Sequence, residues 1–170
     1  MRAPVEHVTS SLLEKLRVIA LKTLELQDSG VAAHTKPDQT VVSKADLFVQ
    51  CAIVHYLQTF TPKVPVLAEE TPEQLRHNEE LRSAVNHQLK SIGIESDAVA
   101  LLEGSGHQRP GSRYWCLDPI DGTRGFLRGD HYAIALAMIN NGRTEHGFLC
   151  CPRLTEGGII LASEGGKVTG

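Results

Sequence analysis

The sequence has little of what would set it apart from an ordinary globular chain. It has no basic surplus: 17 Lys and Arg stand against 20 Asp and Glu, a formal net charge of -3. A nucleic-acid polymer or an anionic membrane surface therefore finds no electrostatic footprint, and a nucleotide ligand must be held locally by metal ions, helix ends or a few side chains. The apolar runs are only a few residues long, too short to span a bilayer. Met1 to Ser11 carry neither the apolar segment of a secretory signal nor an Arg/Ser-rich amphipathic stretch, so no targeting segment is evident. An intracellular location, cytoplasmic or organellar, is expected. The four cysteines, Cys51, Cys116, Cys150 and Cys151, are too few for a disulfide-stapled fold and form no C-x-x-C pair or zinc spacing. They read as reduced thiols in or near the core, and the adjacent Cys150 and Cys151 would bridge only with strain. None of the eight histidines stands in an H-E-x-x-H arrangement, and no internal repeat or low-complexity tract is present.

What is present is 170 residues, 41% of them apolar, enough for one domain with a sizeable core. The pattern predicts an α+β architecture, with helices near the N-terminus and an antiparallel sheet toward the C-terminus. A first helix is expected from a capping box at Ser11 to Glu14, with Leu12, Leu16, Ile19, Thr23 and Leu26 on one face and a stop at Asp28-Ser29-Gly30. A second starts at Ser43-x-x-Asp46 and carries Ala45, Phe48, Val49, Ala52, Ile53, Tyr56 and Leu57 at helical spacing. A third begins at Thr71-Pro72-Glu73-Gln74 and runs through Leu75, Leu81, Val85, Leu89 and Ile92, and a short turn follows Thr123. Strands are expected at Val64 to Leu67 and Tyr114 to Leu117. A hairpin is expected from Tyr132 to Cys151 around Asn140-Asn141-Gly142-Arg143, with a continuation at Ile159 to Ala162 and from Lys167. Glu103 to Ser112, rich in Gly, Ser and Pro, reads as a loop.

Chemistry concentrates in three places. In Trp115-Cys-Leu-Asp118-Pro119-Ile120-Asp121-Gly122-Thr123 an apolar strand runs into two carboxylates. Pro119, lacking a ladder donor, is expected to end the strand, and Gly122 lets the chain turn tightly. Two carboxylates and the Ile120 carbonyl converging at a strand end are hard oxygen ligands suited to Mg²⁺. A helical turn opening at Thr123 would make the Gly122 and Thr123 amides an anion seat, and the two together are the equipment of phosphoryl chemistry. Asp, Pro and Gly are also ordinary turn residues, so this stretch alone is equally a simple turn. Val66-Leu-Ala-Glu69-Glu70 is a second strand ending in acids, although one such pair by itself would be a solvated charge pair. The third place is Lys36-x-Asp38-x-Thr40 running to Ala45-Asp46. Asp46 there also suits the dipole at a helix start, and Lys36 and Asp38 also read as loop charges.

Together these elements resemble the lithium-sensitive, magnesium-dependent phosphatase family that includes inositol monophosphatases and 3'(2'),5'-bisphosphate nucleotidases. Asp118-Pro-Ile-Asp-Gly-Thr123 matches the family signature, and Lys36 to Asp46 and Glu69-Glu70 occur in the family's order. Gly122 to Ala137 resembles the eukaryotic bisphosphate nucleotidase branch, whereas the inositol monophosphatase branch commonly has Thr-Asn-Phe after the shared Gly. The resemblance covers Thr35 onward, with residues 1–34 the weakest match. It implies the N-terminal metal-binding domain of such a phosphatase over residues 1–170. It also implies two or three Mg²⁺ ions, held by Glu69, Asp118, the Ile120 carbonyl and Asp121. Asp46 and Thr123 would orient and deprotonate the attacking water, the Gly122 and Thr123 amides would hold the scissile phosphate, and Glu70 would stand behind the metal ligands. The implied substrate is an adenosine bisphosphate, a small phosphate ester. A further ligand aspartate, in a Trp-Asp-x-Ala motif, is expected in a second domain that this sequence lacks. The apolar face meeting that domain would then need a protein partner or a second copy. Two other readings are a catalytically inactive homologue serving as a structural or binding subunit, and a phosphatase acting on inositol phosphates.

Overall fold

In a computed structural model of the chain, residues 5–30, 33–35, 41–106, 111–154, 158–164 and 167–169 are described. Helix α1 (Val5–Asp28) begins well before Ser11, which lies inside it rather than at its cap. Pro4 precedes the helix in sequence and no further Pro or Gly follows until Gly30, so nothing delays the start. Leu12, Leu16, Ile19, Thr23 and Leu26 are buried as the spacing predicts, and Gly30 supplies the positive φ that stops the helix.

Strands β1 (Ala33–Thr35) and β2 (Val41–Ser43) form a separate antiparallel pair. Lys36, Asp38 and Thr40, singled out above, lie outside the described residues. Helix α2 (Lys44–Phe60) follows directly and is buried around most of its circumference. Its start is a reciprocal capping box: the Ser43 hydroxyl accepts from the Ala45 and Asp46 amides, and Asp46 accepts from the Ser43 amide.

The long helix expected from Thr71 is instead two, α3 (Glu73–Arg76) and α4 (Glu79–Ser91). Asn78 breaks it, because its side chain accepts from the Leu81 amide at 3.0 Å and so favours a new start over a helix interior. Helix α5 (Ala98–Glu103), capped by Asp97, went unread because six residues are too few to display a period.

Among the described residues, seven strands make the main sheet: β3 (Val66–Ala68), β4 (Ser105–Gly106), β5 (Arg113–Asp121), β6 (Ala133–Asn140), β7 (Arg143–Cys151), β8 (Ile159–Glu164) and β9 (Lys167–Thr169). Their order is β4-β3-β5-β6-β7-β8-β9. From β5 to β9 the sheet is antiparallel as expected, but β3 runs parallel to both β4 and β5. The crossover through α3, α4 and α5 permits that pairing. Ser105 and Gly106, expected in a loop, supply the edge strand.

Pro119 does not end β5. Asp118 pairs with Ala135 and Asp121 with Ala133, so three steps on β5 face two on β6, and a one-residue bulge absorbs the proline. Helix α6 (Thr123–Leu127) follows immediately. The β6–β7 turn is as read, with positive φ at Asn141 and Gly142.

Trp115, Leu117, Ile134, Leu136, Met138, Phe148 and Cys150 join the buried core with the helices. Cys116, Ala135, Ala137, Leu149 and Leu161 alternate onto the other, open face. No described helix is long and apolar enough to cross a membrane.

Candidate functional site

The parallel register of β3 and β5 builds the site. Ala68 pairs with Leu117, so Glu69, just past the end of β3, lies beside Asp118, which stays in β5 opposite Ala135. An antiparallel pairing would have sent them to opposite ends. Beyond the bulge, Asp121 returns to the same end of the sheet. Asp118 is half-buried, and its carboxyl is pushed up to about 6. Burial is the main cause, followed by the charges of Asp121, Glu69 and Asp46. Glu69 is exposed, whereas Glu70 is only 2% exposed.

The start of α2 delivers Asp46 to the same place, 3% exposed. Its Oδ2 accepts from the Ser43 amide at 2.8 Å and the Ser43 hydroxyl at 2.6 Å. Its Oδ1 lies 3.1 Å from Thr123 Oγ1, which is also 3.1 Å from the Ile120 carbonyl. Burial raises the Asp46 carboxyl above its ordinary range, against the bonds from Ser43 and Thr123 that pull it down. Ile120 is placed by its side chain, which is buried in the core while its carbonyl faces Thr123. Gly122 holds φ at 90°, which lets the chain turn from strand to helix. Its amide and that of Thr123 stand at the first turn of α6, where backbone donors have no partner within the helix.

The α6 turn is fastened from behind by α1. Gln27 Nε2 donates to the Phe126 carbonyl at 2.9 Å and the Asp130 carbonyl at 3.0 Å, and Arg153 Nε donates to Gln27 Oε1 at 2.6 Å. The Tyr132 hydroxyl donates to Thr23 Oγ1 at 2.8 Å, with the Tyr132 ring edge-on to Phe126.

The structure thus brings Asp46, Glu69, Asp118, Ile120, Asp121, Gly122 and Thr123 to one end of the sheet. Glu70 sits behind them, its backbone bonded to Gln50. Among the described residues no three carboxylate, imidazole or thiol groups close on a point as a ready metal cage. Like charges repel unless a cation lies among them, and the charges of Asp121, Glu69 and Asp46 add to burial in raising the Asp118 carboxyl. The donor set is all oxygen, which fits a hard divalent cation that keeps much of its own water. The sequence reading missed Gln27 and Gln50. For Gln50 a signal existed: it is a lone amide, one turn after Asp46, in a helix segment whose neighbours are apolar and buried.

A family model described as "Inositol monophosphatase family" matches residues 3–169. A rice (Oryza sativa) protein named 3'(2'),5'-bisphosphate nucleotidase is 36% identical over 151 residues, covering 79% of this chain and 42% of its own length. A Candida albicans 3'(2'),5'-bisphosphate nucleotidase 1 is 31% identical over 193 residues, covering 98% of this chain and 53% of its own. The chain therefore spans about half the length of these relatives. Among solved structures, an IMPase from Thermotoga maritima superposes with a TM-score of 0.65 at 22% identity, over 95% of this chain and 50% of that one. An IMPase/NADP phosphatase complexed with Mg²⁺ and phosphate superposes with a TM-score of 0.61 at 17% identity, over 97% and 49%. At these identities the structural likeness shows the fold.

Proposed function

Because the chain belongs to the inositol monophosphatase family, we propose that it serves as a Mg²⁺-dependent phosphomonoesterase. Its substrate would be 3'(2')-phosphoadenosine 5'-phosphate, split to AMP and phosphate. The observation that carries this reading is the Thr123 hydroxyl standing between Asp46 Oδ1 and the Ile120 carbonyl, at the site where Asp118 feels the charges of Asp121, Glu69 and Asp46. The choice of an adenosine bisphosphate rests on the names of the relatives at 31–36% identity and on the Gly122 to Ala137 stretch.

Glu69, Asp118, the Ile120 carbonyl and Asp121 would hold two or three Mg²⁺ ions, which when bound supply positive charge to the phosphate and lower the pKa of water. The chain's own groups do the rest. Thr123 Oγ1 accepts a hydrogen bond from the attacking water while donating its own proton toward Asp46 Oδ1. Asp46, held by Ser43 and made more basic by burial, is a fitting acceptor. The Gly122 and Thr123 amides hold the phosphate oxygens. The water oxygen bonds to phosphorus as the P–O ester bond breaks, and the leaving oxygen takes a proton from solvent. Glu70, buried behind Glu69, keeps that ligand's strand end in place.

The test is phosphate release from 3'-phosphoadenosine 5'-phosphate and from inositol 1-phosphate, with and without Mg²⁺, by the chain and by Asp121→Ala. Release from the nucleotide that needs Mg²⁺ and disappears in the variant supports the reading. Release confined to the inositol ester moves the substrate to the other branch. No release from either ester by a folded, Mg²⁺-loaded chain overturns activity for this chain and favours a structural or binding role.

A further inference from the structure

We propose that Gln50 is a positioning residue for the metal site, an inference that rests on the metal-binding reading above. Gln50 is fully buried in α2, one turn after Asp46. Its amide bonds twice to one backbone unit: the Glu70 N–H donates to Oε1 at 2.8 Å, and Nε2 donates to the Glu70 carbonyl at 2.8 Å. The second Nε2 proton goes to the Ser105 hydroxyl at 3.0 Å, which itself donates to the Leu102 carbonyl at 2.9 Å. Only a primary amide offers a donor and an acceptor at this separation, so the side chain pairs with Glu70 as another strand would.

Glu70 is the residue after Glu69, just beyond the end of β3. There the clamp ties the chain to α2. Because Asp46 and Gln50 are four apart on one helix, the same face of α2 holds two halves of the site. Asp46 bonds Thr123 at the β5–α6 turn, and Gln50 bonds the chain just beyond Glu69. Both therefore follow any movement of α2. The β3–β5 register sets Glu69 beside Asp118, and the Gln50 clamp holds the chain just beyond Glu69 to that arrangement. Gln50 is buried away from solvent and does not itself touch a ligand. Its effect is transmitted through Glu69, as residues behind metal ligands commonly act.

The test measures Mg²⁺ affinity by calorimetry on the chain, on Gln50→Met and on Val54→Ala. Gln50→Met keeps the shape and loses every bond. Val54→Ala is a buried change one turn further along α2 that leaves the amide alone. The expected result is a Kd for Mg²⁺ weakened about 10-fold or more in Gln50→Met, with Val54→Ala within about 2-fold of the unaltered chain although it too is less stable. Equal affinity in a folded Gln50→Met, or an equal loss in both variants, overturns the proposal while leaving the metal site intact. No Mg²⁺ binding by the unaltered chain overturns both readings. Should Gln50→Met not fold, NMR of the unaltered chain decides the matter. The Gln50 side-chain amide and the Glu70 N–H are expected to shift with the same midpoint as the calorimetric titration, and resonances indifferent to Mg²⁺ contradict the proposal.

Discussion

At the scale of single residues, Asp46 has two separable tasks. Oδ2 completes the cap of α2 with Ser43, and Oδ1 meets Thr123. Asn in its place keeps an acceptor for Ser43 but cannot take a proton. Asp46→Asn is therefore expected to lower the rate of phosphate release about 100-fold or more, while unfolding free energy changes by less than about 1 kcal/mol. Ser43→Ala should do the reverse, removing about 1 kcal/mol of stability through the lost cap with a much smaller effect on rate. Denaturant unfolding beside a rate assay checks both, and a large rate loss in Ser43→Ala with full activity in Asp46→Asn would reverse the assignment. The Ser43-x-x-Asp46 spacing was legible in the sequence because a cap is a local pattern. The Thr123 contact, 77 positions away, was legible only through the family resemblance.

At the scale of elements, α1 acts as a brace for the turn that carries Gly122 and Thr123, through Gln27 and through the Tyr132–Thr23 bond. The apolar face of α1 is legible from its period, but Gln27 and Thr23 reach partners about a hundred residues on, and no periodicity reports that. Burial pushes the Tyr132 hydroxyl up to about 12, with the bond to Thr23 acting in the opposite sense. The neutral form is thus favoured in the folded chain. Stability from this group is complete below the unfolded value of about 10 and is lost as pH rises through about 12, a change of about 2–3 kcal/mol. Cys150, also raised by burial to about 12, shifts stability in the same direction. The decisive quantity is therefore a difference: Tyr132→Phe should remove part of the alkaline loss, measured by unfolding between about pH 9 and 12. Identical pH profiles for the two proteins would contradict the brace. The single helix expected from Thr71 failed for a related reason. Asn78 is unremarkable within a charged stretch until its side chain is seen to cap α4.

At the scale of the whole molecule, the sheet order matters most. Short apolar runs showed most strands of the main sheet, though not β4, yet direction is a property of pairs, and the parallel β3–β5 pairing depends on a crossover that no local signal encodes. That pairing places Glu69 beside Asp118. The open face of the sheet frames a groove of 440 Å³ lined by Cys116, Ala135, Ala137, Leu149 and Leu161, with Leu149 40% and Leu161 38% exposed. An apolar face of this kind favours association. Leu149→Lys with Leu161→Lys is expected to reduce concentration-dependent association in sedimentation while the melting temperature moves by only a few degrees, about what surface changes produce. Association unaffected by the pair would place the contact elsewhere. The central claim is that the acids at the ends of β3 and β5 are gathered for a divalent cation. Calorimetric titration of Mg²⁺ into the chain and into the Asp118→Asn, Asp121→Asn double variant tests it most directly. Saturable binding that weakens more than about 10-fold in the variant is the predicted result. A folded chain that binds no Mg²⁺, or a variant that binds it equally well, would contradict the account.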